Sequence, residues 1–122
     1  MPRIVRLVLT VQAMYYLVTG IWPIVHLASF EAVSGPKTDD WLVKMVALLV
    51  IVIGATIWTA VRRRVWTREI QLLSIGGALA FAVIDLRYAL GGRISPIYLA
   101  DAGLELAFVA LLLTYLSAAP EA

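Results

Sequence analysis

The sequence predicts an all-α fold: a four-transmembrane-helix bundle with short loops. Three observations predict it. The 122 residues are 62% hydrophobic with a mean hydropathy of +0.93, whereas a soluble domain is about half apolar. A domain of this length cannot hide so much apolar surface in its own core, so lipid must act as the solvent. The apolar residues also fall into four runs of about 20, the length that carries a helix across a bilayer. Finally, the segments between the runs are short and carry charge, Gly or Pro. Lipid offers the backbone no hydrogen bonds, which leaves helices as the spanning element. The length fits one membrane domain, residues 1–122.

Span 1 is expected over about residues 4–28. It is too long and too rich in Tyr and Trp for a signal-peptide core and lacks a small-residue cleavage site, so it reads as a retained span. A loop over 29–40 follows, with Gly35-Pro36 and the acids Glu31, Asp39 and Asp40. Span 2 is expected over about 41–61 and ends at an arginine loop. Span 3 covers about 70–90 and stops at Gly91-Gly92, a good helix terminator. Span 4 starts at Ser95-Pro96, a favoured N-cap followed by a residue suited to the first turn, and covers about 96–118. Short loops make successive helices antiparallel neighbours. No internal repeat supports an inverted-repeat transporter.

Charge sets the expected orientation. Arg3, Arg6, Arg62, Arg63, Arg64 and Arg68 fall on one side, while the loops on the other hold only Lys37 and Arg93 among basic residues. The positive-inside rule then places both termini and the arginine loop in the cytoplasm; the compact size, with the family likeness given below, makes a cell inner (plasma) membrane the expected location. The same rule explains the arginine cluster better than nucleic acid does. The net charge is only +2. Aromatics near the run ends, Trp41, Trp58, Trp66, Tyr88, Tyr98 and Tyr115, suit interfacial belts.

Against this apolar background a few ionisable residues stand out. Lys44, Asp85, Arg87, Asp101 and Glu105 lie inside the runs, and His26 lies near the end of span 1. A charge in hydrocarbon is costly, so such residues turn inward and mark a site. Asp101 and Glu105 are spaced i,i+4 and share a face. Ser74, Ala78, Ala82 and Asp85 form one stripe whose small residues let a neighbouring helix approach, which carries Asp85 into the bundle. Gln12, Tyr15, Thr19, Trp22 and His26 form a polar and aromatic stripe on span 1, which Pro23 is expected to kink. At about 1.5 Å per residue these groups all fall in the half of the membrane away from the arginine loop. Lys44 and Arg87 have two options: pairing with the carboxylates, or snorkelling to the interface. Buried ion pairs that merely fix helix register are the plainer reading of Asp85 with either cation.

One polar chamber is thus expected, lined by Glu105, Asp101, Asp85 and His26, with Tyr15, Trp22 and Tyr88 as aromatic walls. It suits a small amphiphilic or cationic ligand held by carboxylates and aromatic faces. A second reading is an intramembrane lipid-modifying enzyme of isomerase type, with Glu105, Asp85 and Asp101 as catalytic acid and base. A third is a structural or assembly subunit whose polar residues glue helices together. The apolar outer faces suit a monomer in lipid, a homodimer or a membrane partner chain equally. No cofactor or metal is expected. The chain has no Cys and one His, which excludes thiolate chemistry and bis-histidine haem within one chain, and the Glu-x-x-His di-iron signature is missing. No phosphate loop or nucleophile elbow occurs.

Two segments carry a family likeness. Trp22-Pro23-Ile24-Val25-His26-Leu27-Ala28-Ser29-Phe30-Glu31 with Gly35-Pro36-Lys37-Thr38-Asp39-Asp40-Trp41-Leu42-Val43 is the first. Asp85-Leu86-Arg87-Tyr88 with Arg93-Ile94-Ser95-Pro96-Ile97-Tyr98-Leu99-Ala100-Asp101 is the second. Over most of its length the chain resembles a group of small, functionally unassigned bacterial four-span membrane proteins, which implies the fold and no activity. In architecture alone it is similar to the EXPERA group (emopamil-binding and sigma-2 type). That likeness implies a ligand cavity lined by acids, with Glu105, Asp101 and Asp85 as the corresponding kind of group. The small multidrug transporters share the length and span number but carry a glutamate in their first helix, which span 1 lacks.

Overall fold

A computed structural model describes residues 1–116. The described chain is helical, without strands: α1 Arg3–Val25, α2 Leu27–Ser34, α3 Asp40–Arg63, α4 Arg68–Leu90 and α5 Ile97–Leu113. Three of these, α1, α3 and α4, are long and apolar enough to cross a membrane. The expected far end of span 4, at residue 118, lies outside the described residues.

The spans expected over 41–61 and 70–90 correspond to α3 and α4, each starting slightly earlier. Thr67 caps α4 by accepting from the Ile70 amide, and Ser95 Oγ accepts the Ile97 amide at the start of α5. Gly92, with φ of +76°, takes the left-handed turn after α4.

The expected first span and loop are corrected. α1 runs through Pro23 and ends at Val25, and residues 27–34, expected mostly as loop, form α2. His26 makes the corner, with φ of −147° and ψ of 83°. Its Nδ1 accepts the Ser29 amide at 3.2 Å, and Ser29 Oγ accepts from Trp22 Nε1 at 2.8 Å. Three side chains thus hold the bend. Leu27-Ala28-Ser29-Phe30 carries no helix breaker, so the helix resumes until Gly35, whose φ of +97° requires a glycine.

α1 packs along α3, and α4 along α5. The two pairs meet closely at the arginine-loop end. There Val5, Leu9, Ile57, Val61, Ile75 and Leu112 are buried around Trp66, which is fully buried. Trp66 Nε1 donates to the Tyr115 carbonyl at 3.1 Å, and Gln71 Nε2 donates to the Trp66 carbonyl at 3.2 Å. These bonds tie the α3–α4 loop to the end of α5. Toward the other end the pairs separate, and α2 lies across the gap.

Small residues set the α1–α3 approach. A Cβ added at Gly20 would stand 2.8 Å from Ile51 Cγ1 and 2.9 Å from the Ala47 carbonyl oxygen. Gly103 on α5 has open space instead. Gly20→Ala is therefore expected to destabilise the fold by about 1–3 kcal/mol through overpacking. Gly103→Ala should stay within about 0.5 kcal/mol of the parent or gain slightly from helix propensity. Thermal unfolding of the two variants in the same detergent checks this difference.

Candidate functional site

Between the helix pairs, under α2, lies a cavity of about 820 Å³. Its walls are largely apolar. α3 contributes Val43, Val46, Ala47 and Val50; α4 contributes Phe81 and Ile84; α2 closes over it with Phe30 and Val33. The acids converge on it from two helices. The stripe Ser74, Ala78, Ala82 and Asp85 is buried, as its small residues require, and it carries Asp85 to the cavity wall. The i,i+4 spacing brings Asp101 and Glu105 to the same wall from α5.

Each acid of α5 meets a tyrosine of α1. The Tyr15 hydroxyl donates to Asp101 Oδ1. The Tyr16 hydroxyl donates to Glu105 Oε1 at 2.6 Å. Behind Tyr16, Gln12 Nε2 reaches both the Tyr16 hydroxyl at 3.2 Å and the Ser74 carbonyl at 2.9 Å, which joins α1 to α4. Asp85 contacts the Asp101 carboxyl, and its Oδ2 is buried with no hydrogen-bond partner. Tyr15, Tyr16, Phe81 and Phe108 form a chain of tilted and edge-on rings around these bonds.

The expected members divide. Glu105, Asp101, Asp85, Tyr15 and Trp22 all line the cavity. His26 and Tyr88 do not: the structure corrects both. His26 is exposed and is committed to the α1–α2 corner, because the chain leaves the helix there. Tyr88, one turn beyond Asp85 along α4, is exposed and lies outside the cavity lining, with the Arg87 guanidinium 5.4 Å from its ring. Lys44 and Arg87 are both exposed and line no part of the cavity. Of their two options they take the outward one.

Two participants lie outside the expected set. Tyr16 sits four residues after Gln12, so the polar stripe of span 1 contained the signal for it. Lys37 carried none. Its ammonium folds back onto the Ser34 carbonyl, Ser34 Oγ and the Gly35 carbonyl at 3.1, 3.2 and 2.7 Å. There it lies 5.8 and 5.3 Å from the Phe30 and Tyr98 rings, at the cavity mouth. That course depends on the backbone of Gly35. Outside the long helices, Glu31 on α2 meets Asp40 at the start of α3. The hydrogen bond between these carboxyls, with desolvation and repulsion behind it, holds Glu31 above its usual range against the pull of Lys37. This contact supports the α2 position at low pH and loses its contribution as pH rises through the raised value.

Among the described residues no group of three or more His, Cys, Asp and Glu is placed to hold a metal ion. The chain matches no protein-family model, no curated protein and no solved structure.

The Tyr16 hydroxyl serves both Glu105 and Gln12, so Tyr16→Phe strips two buried polar groups of a partner. The expected loss is about 1–3 kcal/mol, read as a lower unfolding midpoint in detergent. Tyr88→Phe, on the outer face, should change the midpoint by no more than about 0.5 kcal/mol in stability terms.

Proposed function

We propose that this chain is a four-span membrane protein that binds a small amphiphilic cation in the cavity beneath α2. The observation that carries this reading is the composition of one space. Three carboxyl side chains share a cavity whose other walls are mainly aliphatic and aromatic, and among the described residues no Lys or Arg pairs with them; Lys37, at the mouth, gives its hydrogen bonds to Ser34 and Gly35 instead. A charged acid in such surroundings is stabilised by an opposite charge. The apolar walls favour a cation with a hydrophobic body, and Tyr15, Trp22 and Phe30 offer ring faces to it. The likeness to the functionally unassigned four-span group agrees with the span number of this reading, and the looser architectural likeness to acid-lined ligand cavities agrees with its cavity.

The test uses tetraphenylphosphonium as the probe, with the protein in lipid nanodiscs and tryptophan emission as the signal. Wild-type protein should bind it saturably. Glu105→Gln and Asp101→Asn should each weaken binding by about tenfold or more, which is about 1.4 kcal/mol of lost interaction. Tyr88→Phe, outside the cavity, should leave the affinity within about twofold. Equal affinity in all variants would overturn the cavity assignment.

A second reading is favoured by one contact. Asp85 and Asp101 touch, yet Asp101 has a tyrosine donor and Asp85 has an unpartnered oxygen. Two acids in unlike settings are the arrangement of a general acid and base. An isomerase acting on a lipid would need them, and conversion of a supplied lipid that is lost in Asp85→Asn while binding persists would favour it.

The fourth span in this proposal is α5. Its 17 residues cover about 25 Å at the helical rise, a little short of a bilayer core of about 30 Å. The arginines at one end support an orientation with that end and both termini in the cytoplasm of a bacterial inner membrane. The absence of native cysteine makes this directly testable. In intact cells a membrane-impermeant maleimide should label Thr38→Cys and Arg93→Cys, but Arg63→Cys and Leu116→Cys only after permeabilisation. Labelling of Leu116→Cys from outside would remove α5 as a span.

A further inference from the structure

The acids of the cavity include one contact that is incomplete as it stands. Ionised carboxylates only accept hydrogen bonds, so the Asp85–Asp101 contact needs a hydrogen between its two groups. Asp85 is only 5% exposed, its Oδ2 is unpartnered, and it stands on the cavity wall. A donor or a positive charge is what that oxygen lacks.

The charged and titratable neighbours do not supply one. From α1, the Tyr15 and Tyr16 hydroxyls are committed to Asp101 and Glu105. From α5, Glu105 adds a further acid. The lining from α3 is apolar. Lys37, at the mouth, gives its hydrogen bonds to Ser34 and Gly35. Lys44 and Arg87 are exposed outside the cavity.

We propose that the cavity exchanges a proton for its cation: an organic cation seats against Asp85 and Asp101 and displaces the proton they share, one proton out for each cation in. This rests on the cation-binding reading and adds to it a defined coupling. No covalent bond to the ligand forms. One carboxyl O–H bond breaks, its proton passes to bulk water, and both carboxylates then face the positive charge. Release of the cation reverses each step. The exchange makes electrostatic sense in this setting. The proton and the cation answer the same deficit at the Asp85–Asp101 pair, and the third acid, Glu105, already has the Tyr16 hydroxyl as its donor.

Tetraphenylphosphonium tests this cleanly, because it is permanently charged and brings no proton of its own. It is titrated into protein in nanodiscs at about pH 6 in weak buffer with a pH indicator, and released protons are counted against occupancy from tryptophan emission. About one proton per bound cation is expected, with apparent affinity rising about tenfold per pH unit across the acid range, as one-proton linkage requires. Asp85→Asn retains Asp101 and Glu105 and should still bind, with little proton release. Saturable binding by wild type without proton release would overturn the exchange and leave cation binding standing. No binding at all would overturn both. Undiminished release in Asp85→Asn would overturn the assignment to this pair.

Discussion

Lipid solvates neither charge nor backbone, and the interior of this bundle is arranged around that constraint. Every polar side chain in the long helices must reach a partner or the aqueous boundary. Thr10, Thr19, Thr56 and Thr59 satisfy themselves against the carbonyl one turn back on their own helix. Lys44 and Arg87 turn outward, where long stems can carry a charge to the interface. Asp85, Asp101 and Glu105 have short stems, and they turn inward. The inward set is therefore selected by side-chain length as much as by charge. It needs hydroxyl donors from another helix, and Tyr15 and Tyr16 supply two.

The same bonds decide where the bundle is closed and where it is open. At the arginine-loop end, Trp66 fills the centre, donates from its indole to the Tyr115 carbonyl and accepts at its own carbonyl from the Gln71 side chain. One step inward, Gln12 bridges to Ser74 and Tyr16. Above that level the α1–α3 and α4–α5 pairs are joined by the tyrosine–carboxyl bonds and by the ring contacts of Tyr15 with Phe108 and of Tyr16 with Phe81. These bonds span a gap that side chains do not fill, and so the cavity and the acids share one cause. A pair of helices held by aliphatic packing would have closed there. The α1–α3 pair is kept tight by Gly20 and Gly54, so the opening falls between the pairs rather than within one.

Legibility followed periodicity. Asp85 was readable because Ser74, Ala78 and Ala82 lie on its face, and small residues identify a contact face without any knowledge of the partner. Asp101 and Glu105 were readable because i,i+4 spacing fixes their relative direction. Trp22 and Tyr15 came with the stripe of Gln12. His26 belongs to the same stripe by counting, but the count holds only while the helix continues, and it stops at Val25. The corner itself is made by Trp22, His26 and Ser29 acting together, a tertiary condition that no spacing rule expresses. Tyr88 shares the Asp85 side of α4 at i,i+3, but it lies one turn nearer the helix end, where it is exposed beside Arg87 and past the cavity. Lys37 was beyond sequence reasoning, because its position rests on the left-handed backbone of Gly35 and on the seat of α2.

The form of the cavity discriminates between kinds of cation on simple grounds. A hard inorganic ion needs six or more oxygen ligands to replace its water. Here the anionic oxygens belong to three carboxyls, the Tyr15 and Tyr16 hydroxyls already donate to two of these acids, the Thr19 and Ser34 hydroxyls are committed to backbone carbonyls, and most of the remaining wall is hydrocarbon. A bare ion would lose more hydration than this set returns. An organic cation presents its charge over a larger, weakly hydrated surface and gains from the aliphatic and aromatic walls as well. A neutral lipid without a hydroxyl or amide would gain the walls but would leave the unpartnered Asp85 oxygen without a donor. Under the proposed cation-binding reading, the two halves of the lining, acid and apolar, would act as independent filters, one for charge and one for a hydrophobic body.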